Sequence, residues 1–246
     1  MGGAPMGFSV SDMTLRSHLT VTAYLVIGPR DTKGRRVGEI VKAAVCAGFT
    51  AVQLRAKEES AREQIALLGE AARAIEAAGA AASVPLLVDD RLDVALVARE
   101  MGVAVAGVHV GQKDVPAHIC RRLLGEAAIV GLSAHPQDLP RLAPEDLAAA
   151  DYIGTGPLHA TASKPDAGIE ADGSFRTRSL AEIASFAQKS PVPVIVGGGV
   201  KAADLPAVKA TGAAGFFVIS AVAAAADAEG AAREMVVVWK GGGWFR

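Results

Sequence analysis

The stretch LDVALVAREMGVAVAGVHV, residues 92–110, shows in one place the pattern that decides the fold. Its first part, Leu92–Glu100, spaces apolar residues as one face of a helix does, and Gly102 follows where helices often end on a left-handed residue. The run Gly107–Val110 is short and largely β-branched, which is typical of a strand buried in a parallel sheet. The stretch therefore predicts a helix followed by a strand, with a tight turn between them.

The same unit recurs along the chain. Strand-like runs alternate with alanine-rich segments of helical period, and Gly48 and Gly212 also separate a helix from the next strand. Because eight such units follow one another without a linker, we expect one closed α/β barrel of the (β/α)8 type, a TIM barrel, rather than a doubly wound sheet. The predicted strands are Tyr24–Ile27, Ala51–Leu54, Leu86–Val88, Gly107–Val110, Ile129–Leu132, Tyr152–Gly154, Val194–Val196 and Phe216–Ile219. The predicted helices are Glu39–Ala47, Ala61–Ala78, Leu92–Glu100, Pro116–Leu124, Ser179–Gln188 and Ala231–Trp239.

The barrel is expected to occupy residues 21–240, with a flexible appendage at 1–20 and a short tail at 241–246. Within it, the segment 136–149 carries Pro140 and Pro144, so its helix should be short or broken.

Composition and charge narrow the function classes. The 246-residue chain is 51% hydrophobic and 4% aromatic with a net charge of −1, so it lacks the basic surface expected for nucleic-acid or membrane binding. Cys46 and Cys120 stand alone in apolar helical contexts, which predicts two buried thiols and no disulfide or zinc site. The first twenty residues do not form a secretory signal, and the uncharged run Thr211–Ala226 is too short to cross a bilayer. We expect a cytoplasmic protein, with monomer and homo-oligomer both open.

Polar residues follow the predicted strands at the same end of each unit. In a TIM barrel the carboxyl ends of the strands form the active site, so these positions are the candidates. After the second to fifth strands come Gln53, Arg55 and Lys57, then Asp89 and Asp90, then Gln112 and Asp114, then Ser133 and His135. After the sixth strand, the loop GTGPLHATASKPDAG, residues 154–168, holds Thr161, Ser163 and Lys164, and Gly197–Gly199 and Ser220 follow the last two strands.

These residues predict two anion sites. Arg55, Lys57 and Lys164 are cations that could converge on one anion, with the hydroxyls of the same loop as extra donors. Asp90 and Asp114 would repel that anion unless a cation lay between, and Mg²⁺ is typically held by one or two carboxylates together with phosphate oxygens. The glycines after the seventh strand and Ser220 after the eighth are typical of the phosphate pocket of many such barrels.

Each feature also has a plain structural explanation. Asp89 and Asp90 precede a helix, where they could be an N-cap with charge favourable to the dipole. Gln53 and Arg55 alternate with apolar residues and could lie on the rim of a strand. His109, inside the strand GVHVG, is interpreted as a hydrogen-bonded core histidine rather than a ligand.

In order along the chain, the motifs resemble the thiamine-phosphate synthase (thiamine-phosphate pyrophosphorylase) family. The resemblance runs from about Tyr24 to Trp239 and is carried by VQLRAKE, VDDRLDVALVARE, GVHVGQKD, GLSAH, DYIGTGPLHATASK, VIVGGG and FFVISA. It implies a TIM-barrel transferase that joins 4-amino-2-methyl-5-hydroxymethylpyrimidine pyrophosphate to a thiazole phosphate. The products would be thiamine phosphate and pyrophosphate, and Mg²⁺ would assist departure of the pyrophosphate.

The resemblance also assigns roles to residues. Asp90 and Asp114 would hold Mg²⁺, and Arg55, Ser133 and Lys164 would be catalytic through the departing pyrophosphate. The residues implied to bind the two substrates are Gln53, Arg55, Lys57, Asp89, Ser133, Thr161, Ser163, Lys164, Gly198, Gly199, Ile219 and Ser220.

Two positions depart from the family pattern. Asp89 stands where the family usually has asparagine, and Ser163 where it usually has threonine. An ionised carboxylate can only accept hydrogen bonds, so Asp89 is expected to bind the metal, turn to a neighbouring cation such as Arg91, or carry a proton.

The implied chemistry needs no general base. The pyrimidine amino group can stabilise a methylene cation once pyrophosphate leaves, and the thiazole nitrogen then captures that cation. Catalysis would therefore be positioning and electrostatic stabilisation. Two alternatives stay open: a paralogous thiazole tautomerase, which would not need the Mg²⁺ carboxylates or Lys164, and a non-catalytic phosphate-ligand binding protein.

Overall fold

Eight parallel strands pair in sequence order and close on themselves, with the first strand bonded to the eighth. This is the architecture of a computed structural model that describes residues 15–163, 168–169 and 173–242. The strands are β1 Ala23–Ile27, β2 Ala51–Leu54, β3 Leu86–Asp89, β4 Gly107–Val110, β5 Ile129–Ser133, β6 Tyr152–Thr155, β7 Val194–Val196 and β8 Gly215–Val218. The predicted TIM barrel is confirmed, and each strand lies within one residue of its predicted bounds.

Helices follow the strands and cover the outside of the barrel. They are α1 Val37–Cys46, α2 Ala61–Ala77, α3 Leu92–Glu100, α4 Ala117–Leu124, α5 Pro144–Ala149, α6 Leu180–Lys189, α7 Leu205–Ala210, α8 Ser220–Ala223 and α9 Ala228–Trp239. The segment 136–149 contains a 3₁₀ turn, Leu139–Arg141, and the six-residue α5, so the short or broken helix is confirmed. Ser220 opens the separate four-residue α8 and not the long last helix.

The apolar residues form two layers. The larger layer lies between the strands and the helices, and the smaller fills the barrel interior, where Tyr24, Leu87, Ile129, Tyr152 and Ile195 pack together. The rings of Tyr24 and Tyr152 meet edge to face at 5.7 Å. Because the interior is filled below this level, a ligand can enter only at one end of the barrel.

The two cysteines differ from each other. Cys120 is buried, and burial with nearby acidic charge raises the pKa of its thiol to about 11, as expected for an inert core residue. Cys46 is exposed, so the prediction that it is buried was wrong. It is the last residue of α1, and Val41, Ala44 and Val45 occupy the buried face of that helix.

Residues near the chain ends can be described only in part. Arg16, in the proposed amino-terminal appendage, donates from Nε to Asp151 Oδ1 at 2.9 Å and so contacts the barrel. Residues 1–14 and 243–246 lie outside the described residues. Within the described ranges, no helix combines the length and apolar character that crossing a bilayer requires.

Candidate active site

One open cavity of about 1210 Å³ occupies the carboxyl end of the barrel. Its walls come from residues at the ends of all eight strands and from the loops that follow them. The predicted site residues that line it are Gln53, Arg55, Lys57, Asp89, Asp90, Asp114, Ser133, Thr161, Ser163, Gly198, Gly199, Ile219 and Ser220. Lys164 lies outside the described residues. The structure therefore brings every described member of the predicted site to one cavity.

Asp89, the last residue of β3, lies at the centre of a group of polar and charged residues at the ends of β2 and β3. Gln53 Nε2 donates to Asp89 Oδ1 at 2.6 Å, and Arg55 Nε lies 3.5 Å from Asp89 Oδ2. Lys57 Nζ lies 3.7 Å from the same oxygen and 2.8 Å from Asp90 Oδ2. The cations that face Asp89 are thus Arg55 and Lys57. Arg91 was the neighbouring cation expected there, but it pairs with Asp93 at 2.5 Å, so that expectation was wrong.

Lys57 is held in its charged form by this arrangement. Partial burial alone would lower the pKa of Lys57, but the hydrogen bond to Asp90 and the charges of Asp89 and Asp90 raise it above its ordinary value. An anion entering the cavity therefore meets a permanent cation at this point.

Asp90 and Asp114 form an acidic pair beside Lys57. Asp90 adopts a left-handed conformation with φ 60°, and its backbone N–H donates to His109 O at 2.8 Å. Asp114 accepts from Gly111 N at 2.8 Å and lies within hydrogen-bonding reach of Asp90. Burial and the neighbouring negative charge of Asp90 raise the pKa of the Asp114 carboxyl.

The carboxylates of Asp89 and Asp90 do not cap the helix that follows. The residue at the amino end of α3 is Arg91, and no side chain caps that end. The alternative interpretation of Asp89 and Asp90 as a helix cap is therefore wrong. A non-glycine residue with positive φ is uncommon, and Asp90 uses it to turn its carboxylate towards Lys57 and Asp114.

The residues present suit a divalent cation. Two adjacent carboxylates that repel each other at neutral pH gain from a positive ion between them, and oxygen ligands are the ones Mg²⁺ prefers. In the described ranges no group of three or more His, Cys, Asp or Glu side chains could hold a metal alone. Such an ion would need ligands from a bound substrate as well.

A chain of hydrogen bonds runs along the floor of the cavity. His109 Nε2 lies 2.9 Å from Ser133 Oγ, and His109 Nδ1 lies 2.9 Å from Tyr152 Oη. Tyr152 Oη lies 2.7 Å from Tyr24 Oη. The interpretation of His109 as a hydrogen-bonded core residue is confirmed, and the same histidine lines the cavity.

The opposite wall is formed by glycines packed against the loop after β6. A Cβ at Gly198 would lie 2.4 Å from Pro157 Cβ, and φ at Gly198 is 78°. The loop is tied to this turn by Leu158 N, which donates to Gly197 O at 3.0 Å, and by His159 N, which donates to Gly198 O at 2.9 Å. Only glycine allows this close approach, so the turn is built to hold the loop against β7.

Sequence reasoning missed two polar cavity residues that lie on strands rather than after them. Tyr24 and Thr155 both line the cavity, and the Thr155 hydroxyl is buried without a hydrogen-bond partner in the described part of the chain. A signal was present, because each is a polar-tipped side chain inside an otherwise apolar strand.

The family model and the similar proteins of known name agree on one family. The family model described as thiamine monophosphate synthase matches residues 23–222. The thiamine-phosphate synthase of Corynebacterium efficiens is 41% identical over 198 residues, which cover 80% of this chain and 86% of that protein. The thiamine-phosphate synthase of Moorella thermoacetica is 40% identical over 214 residues, which cover 86% and 92%.

A solved structure agrees with these relatives. The thiamine phosphate pyrophosphorylase from Pyrococcus furiosus superposes with a TM-score of 0.73 at 25% identity, covering 92% of this chain and 98% of that one. The family model spans seven complete strand–helix units and the start of the eighth, so the similarity includes the whole cavity. The chain belongs to the thiamine monophosphate synthase family.

Proposed function

We propose that this protein joins 4-amino-2-methyl-5-hydroxymethylpyrimidine pyrophosphate to a thiazole phosphate, giving thiamine phosphate and pyrophosphate. The observation that carries the proposal is that charged residues lie on one wall of the cavity, whereas a glycine turn and Ser220 lie on the opposite wall. The acidic pair and its cations follow β2 to β4, whereas the glycine turn and Ser220 follow β7 and β8, across the ring of eight strands. Two phosphorylated substrates could therefore lie side by side with their charged ends apart.

Mg²⁺ would be held by Asp90 and Asp114 together with oxygens of the pyrimidine pyrophosphate. When bound, the ion supplies positive charge that stabilises the departing pyrophosphate. The remaining negative charge would face Arg55 and Lys57, whose side chains already lie on the cavity wall. Lys164 would add a further cation, as the family resemblance implies.

The thiazole phosphate would lie against the other wall. Gly198, Gly199, Ile219 and Ser220 offer backbone and hydroxyl groups there, and Thr161 and Ser163 lie on the adjoining loop. The Thr161 hydroxyl accepts from Ser163 N at 3.3 Å, which brings the two residues together. A neutral pocket of this kind can bind a phosphate without competing for the metal.

The chain's own residues would act by positioning and electrostatics. Gln53, buried beside Asp89, would orient the pyrimidine, and Ser133 would contact the leaving group. Packing of the two substrates against each other and against the cavity wall would exclude water, which could otherwise capture the cation before the thiazole nitrogen does. No residue is required to remove a proton in the bond-forming step.

We place this activity in the cytoplasm. The two cysteines are free, which agrees with a reducing compartment, and the net charge of −1 agrees with small-molecule rather than nucleic-acid substrates. The proposal holds for a monomer and for a homo-oligomer alike, because all the named residues come from one chain.

A direct assay tests the proposed reaction. Purified protein is mixed with both substrates and Mg²⁺, and thiamine phosphate and pyrophosphate are measured together. Formation of both in equal amounts supports the synthase. Isomerisation of the thiazole phosphate alone would indicate the tautomerase, and tight binding of either phosphate without turnover would indicate a binding protein.

Asp89→Asn is expected to keep activity at saturating Mg²⁺ or to raise it slightly through a lower KM for the pyrophosphate substrate. Asparagine can still accept from Gln53 Nε2, and the change removes a negative charge beside Arg55 and Lys57. Steady-state kinetics at several Mg²⁺ concentrations would measure this, with the exposed Asp93→Asn as control. A tenfold fall in kcat/KM, about 1.4 kcal/mol of transition-state stabilisation, would instead identify Asp89 as a working metal ligand.

A further inference from the structure

A continuous row of four side chains crosses the barrel interior from β1 to β5. In order they are Tyr24, Tyr152, His109 and Ser133, joined by contacts of 2.7, 2.9 and 2.9 Å. Tyr24 is 1% exposed, Tyr152 0% and His109 8%. Ser133, the last member of the row, is only partly buried, and it lines the cavity together with Tyr24 and His109. A row of buried polar groups that ends at a partly exposed hydroxyl in a binding site suggests control of that hydroxyl.

We propose that Tyr152, acting through His109, fixes the Ser133 hydroxyl as a hydrogen-bond donor into the cavity, and is thus a positioning residue for the reaction. The inference rests on the proposed function, since Ser133 is assigned to the pyrophosphate leaving group. An oxygen of that anion can only accept, so Ser133 helps only while its proton points outward.

For a neutral His109 ring, the direction of the row follows from counting its protons. If Ser133 donated to His109, then His109 would donate to Tyr152, Tyr152 to Tyr24, and the Tyr24 proton would need another acceptor. Among the described residues Tyr24 Oη has Tyr152 as its only hydrogen-bond partner. A buried donor without an acceptor is costly, so the opposite direction is favoured, in which Tyr24 donates to Tyr152 and each later group to the next.

The surroundings keep these protons in place. Burial raises the pKa of both tyrosine hydroxyls far above the physiological range, so each tyrosine carries its proton. The favoured direction makes Tyr152 the donor to His109 Nδ1, which leaves the histidine proton on Nε2, facing Ser133. The neutral ring is thereby held in one tautomer.

The backbone is shaped around the contact between Tyr152 and His109. A Cβ at Gly131 would lie 2.3 Å from Tyr152 Oη and 2.4 Å from His109 Nδ1. Any other residue at this position would displace the two atoms that are bonded. Gly131 on β5 therefore leaves the space through which the row passes.

Two phenylalanine variants provide a matched test. Tyr152→Phe and Tyr24→Phe each remove one buried hydroxyl, and both abolish the bond between the tyrosines. Only Tyr152→Phe removes the donor to His109, so it should lower kcat/KM for the pyrophosphate substrate about tenfold, the scale of one buried hydrogen bond. Tyr24→Phe should cost roughly two- to threefold, because Tyr152 keeps its own proton and loses only polarisation by its neighbour.

A background variant shows whether the effect passes through Ser133. In a Ser133→Ala protein, adding Tyr152→Phe should cause no further fall in kcat/KM, because the group that Tyr152 positions is already gone. Equal losses from the two phenylalanine variants, or a full additional loss in the Ser133→Ala background, would overturn the proposal in favour of a purely structural pair.

The tautomer can be read in the free protein, without turnover. Proton–nitrogen correlation spectra of the histidine rings, assigned with His109→Gln, should show a neutral His109 protonated on Nε2 in the wild type and in Tyr24→Phe. Tyr152→Phe should give a mixture of tautomers. A proton on Nδ1 in the wild type overturns the proposal whatever the activity, whereas a lack of synthase activity with the expected tautomer would count against the proposed function alone.

Discussion

Asp114→Asn is expected to lower kcat/KM at moderate Mg²⁺ by roughly 100-fold or more, because one of the two proposed protein ligands to the metal loses its charge. The geometry would be kept, since an asparagine oxygen can still accept from Gly111 N, as Asp114 does at 2.8 Å. Activity should recover in part as Mg²⁺ is raised. The measurement is kcat/KM as a function of Mg²⁺ concentration, together with calorimetric titration of each substrate.

The thermal stability of the same variant distinguishes a metal-binding role of Asp114 from a structural one. Without metal, Asp90 and Asp114 repel each other, so Asp114→Asn should melt at the same temperature as the wild type or higher. Added Mg²⁺ with pyrophosphate should raise the melting temperature of the wild type by mass action but change the variant little. Asp93→Asn, an exposed carboxylate on α3 paired with Arg91, is the matched control and should behave as the wild type.

A lower melting temperature in Asp114→Asn, with equal weakening of both substrates, would show a structural role. In the proposed metal role, thiazole phosphate binding should be unchanged, because the pocket proposed for it follows β7 and β8 while Asp114 follows β4.

Lys164→Ala is expected to reduce kcat by about 10²–10³-fold, the loss typical of one preorganised group that stabilises developing charge. Lys164 lies outside the described residues, so this expectation rests on its place in the loop and on the family resemblance. The melting temperature should stay unchanged, because a loop lysine contributes little to the core. Single-turnover kinetics would isolate the chemical step.

Two further lysine variants make this test specific. Lys164→Arg keeps a cation and should retain more activity than Lys164→Ala, whereas Lys189→Ala, in the last turn of α6, should have no effect. Turnover of Lys164→Ala close to that of the wild type would remove this lysine from the catalytic account.

The order of strands and helices could be predicted because the same sequence pattern recurs in each strand–helix unit. Buried strands such as Gly107–Val110 are short apolar runs, and a glycine with positive φ, as at Gly102, marks the end of the preceding helix. Which face of a helix is buried is harder to predict for its last residue, because few apolar positions follow to define the face. Cys46 was therefore predicted to be buried, like its neighbour Val45, but it is exposed.

The location of the site could be predicted from the topology of the barrel. The contacts between the side chains of the site could not. Once the barrel is assumed, residues after each strand must meet at one end, which is why Arg55 and Asp114 could be placed together from sequence. Which cation faces Asp89 depends on side-chain directions and on the left-handed turn at Asp90, and neither has a sequence signal. The row from Tyr24 to Ser133 joins strands far apart in the chain, so local patterns could not show it.

Closure of the barrel by β1 and β8 sets the order of events during synthesis. Ala23 pairs with Phe216, so one edge of the first strand stays unpaired until nearly the whole chain has left the ribosome, although its other edge can pair with β2 early. Until then the growing sheet has two open edges, which are prone to pairing with other chains. The predicted site residues at the ends of β2 to β6 cannot form the complete cavity before that last pairing, because its walls include residues of β1 and β8. A nascent chain that stops before Phe216 is therefore expected to be an inactive target for chaperones.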